Sequence, residues 1–111
     1  MSIEQANVID LITSDTEDGH ITLIISDGLE WGSQKHLIKL QNKLNSYLAF
    51  IQSGELLQKH PAAEGKRIHL DLVCRYEPDE DSKQFLQLCA EAIMDAGYQF
   101  RYRLHSQYSA N

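Results

Sequence analysis

The first 34 residues of this 111-residue chain contain no lysine and no arginine. Glu4, Asp10, Asp15, Glu17, Asp18, Asp27 and Glu30 stand there unopposed, so this stretch carries a formal charge of −7 while the rest carries +1. A nucleic-acid backbone needs a basic footprint, so the imbalance argues against non-specific nucleic-acid binding by the whole molecule. It favours a partner with a basic patch.

Other shortages exclude further classes. Cys74 and Cys89 are the only cysteines, with no C-x-x-C and no Cys/His spacing, so neither a zinc site nor a disulfide framework is expected. Both fall within apolar patterns, where a free thiol serves as a small core residue. No run approaches the roughly eighteen apolar residues of a membrane span. The start, Met1-Ser2-Ile3-Glu4-Gln5, lacks the basic and apolar regions of a secretory signal, and a cytoplasmic protein is expected. The histidines (His20, His36, His60, His69, His105) show neither H-x-x-x-H nor H-E-x-x-H spacing. There is no G-x-S-x-G, P-loop or dinucleotide fingerprint, and Asp15-Thr16-Glu17-Asp18-Gly19 does not match a calcium loop. No catalytic residue, metal or cofactor is assigned.

What is present reads as one domain over 1–104 with a flexible polar tail, 105–111. Asn7–Thr13 and His20–Ser26 are β-branched runs on either side of an acidic turn, a hairpin signal. From Gln34 to Ser53, Leu37, Leu40, Leu44, Tyr47, Leu48 and Ile51 recur at helical spacing, and Gly54 supplies a stop. Lys35, Lys39 and Lys43 fall on the opposite side as a solvated ridge, with Gln41 and Asn45 at the stripe's edge, bonded to a neighbouring loop. The connection 55–65 leaves room for another helical turn. Lys66–Arg75 reads as a third strand. Asp79, Glu80 and Asp81 then open a helix whose stripe is Phe85, Leu88, Cys89, Ala92, Ile93 and Ala96. Tyr98–Leu104 follows as the fourth strand. The order ββαβαβ, with right-handed crossovers, predicts an α/β two-layer sandwich: a four-stranded mixed sheet with both helices on one face.

Alternation along the strands puts Arg67, His69, Asp71 and Arg75, together with Arg101 and Arg103, on the face away from the helices. Asp71, or Asp10, would pair with the arginines. His69 and Asp71 are the nearest approach to a base with its orienting carboxylate, but no nucleophile accompanies them. Tyr98, Phe100 and Tyr102 point toward the helices, leaving the open face without a stacking platform for single-stranded nucleic acid. Ile24, with Ile12 or Val8 beside it, would make the hairpin side of that face apolar and suits a weak homodimer.

Asn7-Val8-Ile9-Asp10, Trp31 and the segment Leu40-Gln41-Asn42-Lys43-Leu44-Asn45-Ser46-Tyr47-Leu48-Ala49-Phe50-Ile51-Gln52-Ser53-Gly54 resemble a family of small bacterial proteins known only as a domain of unknown function. The resemblance covers most of residues 7–104 and implies a bacterial cytosolic protein. It brings no activity, cofactor or site.

Two functional classes follow. The first is a protein-interaction module, of accessory, inhibitor or immunity type, presenting Asp15, Glu17, Asp18, Asp27, Glu30 and Trp31 to a basic protein. The second is an anion or phosphate-ligand binder using Arg67, His69, Arg75, Arg101 and Arg103. An enzyme of unknown type comes third.

Overall fold

The computed structural model describes residues 3, 5, 9–15 and 19–105. The hairpin is formed by β1 (Leu11–Asp15) and β2 (His20–Asp27), antiparallel, with Leu11 opposite Ile24 and Asp15 opposite His20. Its first strand begins later than the β-branched run suggested, because the groups of Asp10 are used elsewhere. The Asp10 N–H donates to Tyr47 Oη at 2.8 Å, and its Oδ2 accepts from the Ser26 N–H at 2.9 Å. Residues 16–18 of the turn lie outside the described residues.

β3 (Arg67–Cys74) runs parallel to β2, and β4 (Gln99–Leu104) parallel to β3, giving the sheet order β1-β2-β3-β4. Parallel neighbours require crossovers, supplied by α1 (Gln34–Gln52) and α3 (Glu80–Asp95). The connection after α1 contains the further helical turn allowed for it, as α2 (Glu55–Lys59) and a 3-10 turn (Pro61–Ala63). The expected ββαβαβ two-layer arrangement is the observed one.

One core lies between the helices and the sheet. Ile21, Leu23 and Ile25 of β2 and Leu70, Leu72 and Cys74 of β3 meet Leu40, Leu44 and Tyr47 of α1 and Leu86 and Ile93 of α3. Each fully buried aliphatic side chain contributes about 1.5–3 kcal/mol. Tyr98, Phe100 and Tyr102 pack against this core, as their alternation predicts.

Helix ends follow local chemistry. Ser33 caps α1 by accepting from the His36 N–H at 3.2 Å, an interaction of about 1 kcal/mol. Asp79 caps α3 by accepting from the Ser82 N–H at 2.8 Å, and the Ser82 hydroxyl, then this N–H, hold its carboxyl below the ordinary value. α3 closes with Gly97 N–H donating to Met94 O and Tyr98 N–H to Ile93 O, a turn that needs the φ of 98° at Gly97.

Both helices are rotated from the expected phase. The buried side of α1 is His36, Leu40, Lys43, Leu44, Tyr47 and Phe50, while Leu37, Leu48 and Ile51 are only half-buried. Lys43 is therefore not on a solvated ridge. It is fully buried, with Lys35 exposed and Lys39 half-buried. Gln41 and Asn45 are exposed rather than at a buried edge. In α3 the buried residues are Ser82, Leu86 and Ile93, and Leu88 is 64% exposed, with Ala92 and Ala96 also outward. Leu88 lies two residues, about 200° around the helix, from Leu86, so both cannot face the sheet. Among the described residues no helix is long and apolar enough to cross a membrane. Residues 106–111 of the expected tail lie outside the description.

Candidate functional site

The cross-strand register defines the helix-free face. His69 sits level with Thr22 of β2 and Gln99 of β4, and Asp71 with Ile24 and Arg101. Arg67 precedes His69 by two residues on the same face, and Arg103 lies level with Val73. Of the five expected anion-site residues, Arg101 and Arg103 lie at Asp71, and Arg67 lies near His69 on the same face. Arg67 and Arg75 stand at opposite ends of β3, each four residues, or about 13 Å, from Asp71, and Arg75 lies toward Arg103. It stacks over Tyr76, with its guanidinium 5.6 Å from the ring centre, and borders a depression of about 490 Å³ with Asp27, Gly28 and Val73.

Asp71 organises the cluster. Its side chain is 3% exposed, yet its partners reach solvent: Arg101 Nε donates to Oδ1 at 2.6 Å and Nη2 to Oδ2 at 3.4 Å, while Arg103 Nη2 stands 3.5 Å from Oδ2. One buried carboxylate therefore orients two guanidinium groups. The expected pairing of arginines with Asp71 is present. Asp10 does not share it, because Asp10 is turned to the helix side.

His69 does not use Asp71 as an orienting carboxylate. Its ring stacks on His20 with centroids 4.3 Å apart and planes 15° from parallel. Desolvation, then the positive fields of His20, Arg101 and Arg67, lower its pKa below the ordinary 6.5, opposed by Asp71. The pairing of His20 with Arg67 across β2 and β3 brings this contact about. It had a signal in the sequence only for a reader who already knew the register.

Two of the seven amino-terminal acids, Asp10 and Asp27, are internal. Asp10 Oδ1 accepts from Lys43 Nζ at 2.9 Å, the same ammonium donates to Gln5 O at 2.7 Å, and Tyr47 Oη donates to Ile24 O at 2.7 Å. Removal from water raises the pKa of Tyr47. Asp27, expected in the acidic partner patch, is 2% exposed and lies 2.6 Å from His36 Nε2. His36 Nδ1 must donate to the Glu30 carbonyl at 2.9 Å, since a carbonyl only accepts. A single proton then lies between Nε2 and Oδ2, and the pair is neutral overall whichever atom holds it. Burial pushes the Asp27 carboxyl above its ordinary value, with His36 opposing. Trp31 covers the pair, its ring 4.1 Å from that of His36 and its Nε1–H donating to Tyr76 O at 3.0 Å.

The other members of the acidic patch are dispersed or undescribed. Asp15 ends β1, Glu30 is exposed, and Glu17 and Asp18 lie outside the described residues. The expected apolar patch is also smaller. Ile12 stands opposite Leu23 and packs on the core, so Leu11, 49% exposed, is the neighbour of Ile24, and Ile24 itself is buried. Val8 lies outside the described residues. Among those residues no group of three or more metal-ligating side chains occurs. Burial pushes the thiols of Cys74 and Cys89 up to about 12 and about 11 respectively, in keeping with core roles.

With this geometry established, comparison adds one match. Residues 1–106 match a family of unknown function, DUF6572. The chain belongs to this family. No curated protein and no solved structure matches it. As a DUF6572 protein it inherits no assigned activity, so the site's own chemistry carries the functional argument.

Proposed function

We propose that this DUF6572 protein is a binding module rather than an enzyme, and that its working surface is the helix-free sheet face, which takes an anionic ligand through phosphate or carboxylate oxygens. The supporting observation is that the buried carboxylate of Asp71 holds Arg101 and Arg103 on the same face as the stacked His20–His69 pair, with Arg67 near His69. Guanidinium groups held by a carboxylate are already oriented, so an arriving anion finds part of the ordering cost removed. The missing aromatic platform disfavours single-stranded nucleic acid as the ligand.

The other reading, an acidic surface docked on a basic protein, has less support. Asp27 of that patch is withdrawn from the surface and matched by His36, which weakens the charge concentration on which that reading depended.

Calorimetry with inorganic pyrophosphate tests the proposal. Binding at low ionic strength that weakens steeply as salt is added, and that is lost in Arg67→Glu, is the expected result. Heat from the variant equal to that of the wild type would reject it. Arg67 is preferred to Arg101 for this purpose, because Arg101→Glu would set a second carboxylate against buried Asp71 and destabilise the fold.

A further inference from the structure

A different surface lies at the hairpin edge of the sheet, where β1 has a strand neighbour on one side only among the described residues. The direction of its main-chain groups follows from those of β2. Gly19 O accepts from the Arg67 N–H at 3.4 Å and Asp27 O from the Arg75 N–H at 2.9 Å, so Gly19 and the odd-numbered residues after it turn their main-chain groups to β3. Even-numbered residues turn the other way, as Ser26 does in bonding to Asp10 Oδ2 and to the Ile3 N–H. The register sets Ile24, Thr22 and His20 against Leu11, Thr13 and Asp15, which therefore exchange the ladder bonds. The N–H and C=O of Ile12 and Ser14 are left directed away from the sheet, and no described residue bonds to them. Natural edges are blunted by lysine, proline or a bulge. Leu11-Ile12-Thr13-Ser14 has neither charge nor proline, its ladder with β2 is continuous, and Leu11 is 49% exposed.

We infer that β1 pairs antiparallel with β1 of a second copy of this chain, about a two-fold axis at Thr13, so that two sheets join into one. This register sets Ile12 level with Ser14 of the second copy, and the outward groups of each strand satisfy those of the other. An axis at Ile12 would call on Asp10, whose N–H is already given to Tyr47 Oη. An axis at Ser14 would set Asp15 diagonal to its own copy, like charge beside like. With the axis at Thr13, that residue meets its own copy in a favourable pair, and Asp15 falls level with uncharged Leu11. A charged peptide would find no opposite charge along Leu11–Ser14, whereas an uncharged strand suits its own copy. The inference does not depend on anion binding at the helix-free face, which uses other strands.

Oxidative cross-linking of Thr13→Cys tests the register. Non-hydrogen-bonded antiparallel neighbours have Cα atoms about 4.5 Å apart, within disulfide range. Mild oxidation should convert this variant to a covalent dimer, while Leu11→Cys, displaced from its own copy along the strand, and the wild type should stay unlinked. Sedimentation of the wild type should show a monomer–dimer equilibrium at submillimolar concentration. Ser14→Pro removes an outward N–H and no bond to β2, and should weaken dimerisation about tenfold or more. If that variant does not fold, Thr13→Lys, which sets two ammonium groups opposite each other, takes its place. Arg67→Glu should dimerise as the wild type does, and Ser14→Pro should keep pyrophosphate binding, so the two surfaces fail separately. A wild type that stays monomeric at millimolar concentration, or equal cross-linking of Leu11→Cys and Thr13→Cys, would overturn the inference.

Discussion

Among the described residues three carboxylates are buried, and their partners differ between the two faces of the sheet. On the helix side Asp10 meets Lys43 and Asp27 meets His36, each pair nearly or wholly out of solvent. On the helix-free side Asp71 is just as inaccessible, but its partners are Arg101 and Arg103, with side chains 57% and 30% exposed. A carboxylate matched by one buried base ends in neutrality and fixes structure. A buried carboxylate shared by two partly exposed arginines instead sets the orientation of guanidinium groups at the surface. That contrast separates the polar groups that hold the fold from those that offer a ligand something to bind.

The contrast fails first if the helix-side pairs are dispensable. Lys43→Ala strands the Asp10 carboxylate, and chemical denaturation should find a loss of about 3–5 kcal/mol. A loss below about 1 kcal/mol would place Asp10 with the surface carboxylates. His36→Leu should cost less, about 2 kcal/mol, because Asp27 can escape as the neutral acid. In that variant the folded state favours protonated Asp27, so the deficit should be small at acid pH and grow as pH rises through the raised pKa. A pH-independent deficit would contradict the proton-sharing account.

Asp71→Asn should cost only about 1 kcal/mol, since the amide oxygen still accepts from Arg101, whose side chain is 57% exposed. It should also lower the pKa of His69 further, because Asp71 is the group that opposes the surrounding cations. Unchanged titration of His69 would show that the cluster is not electrostatically coupled. A smaller effect concerns pH alone. His69 titrates below 6.5 when folded and near 6.5 when unfolded, so the unfolded chain takes the proton first. Its contribution to stability is complete above that value and is lost as pH falls through it. Replacing His69 by Gln should flatten this part of the stability profile. Least change is expected from thiol reagents, which should leave Cys74 and Cys89 unlabelled until the protein unfolds.

The sequence made the architecture legible because strand and helix periods are local properties. The runs at His20, Arg67 and Gln99 and the long leucine pattern of α1 become the observed elements, and the glycines at 54 and 97 end the helices. Phase was less legible. Counting Lys43 and His36 as polar rotated the apparent stripe of α1, since hydropathy does not register that a base may enter the core beside a carboxylate. Their partners lie 33 and 9 residues away, and only the fold brings them together. The arginine face was readable from alternation, while the His20–His69 stack required the register.

The most direct test follows the His69 ring by NMR across a pH titration, with and without inorganic pyrophosphate. An anion held among Arg67, Arg101 and His69 offsets the positive fields that depress this imidazole, so its pKa should rise toward the ordinary 6.5 when pyrophosphate is present, and Arg67→Glu should abolish the ligand's effect. An identical His69 titration with and without pyrophosphate at low salt would contradict the assignment of this face as the anion-binding surface.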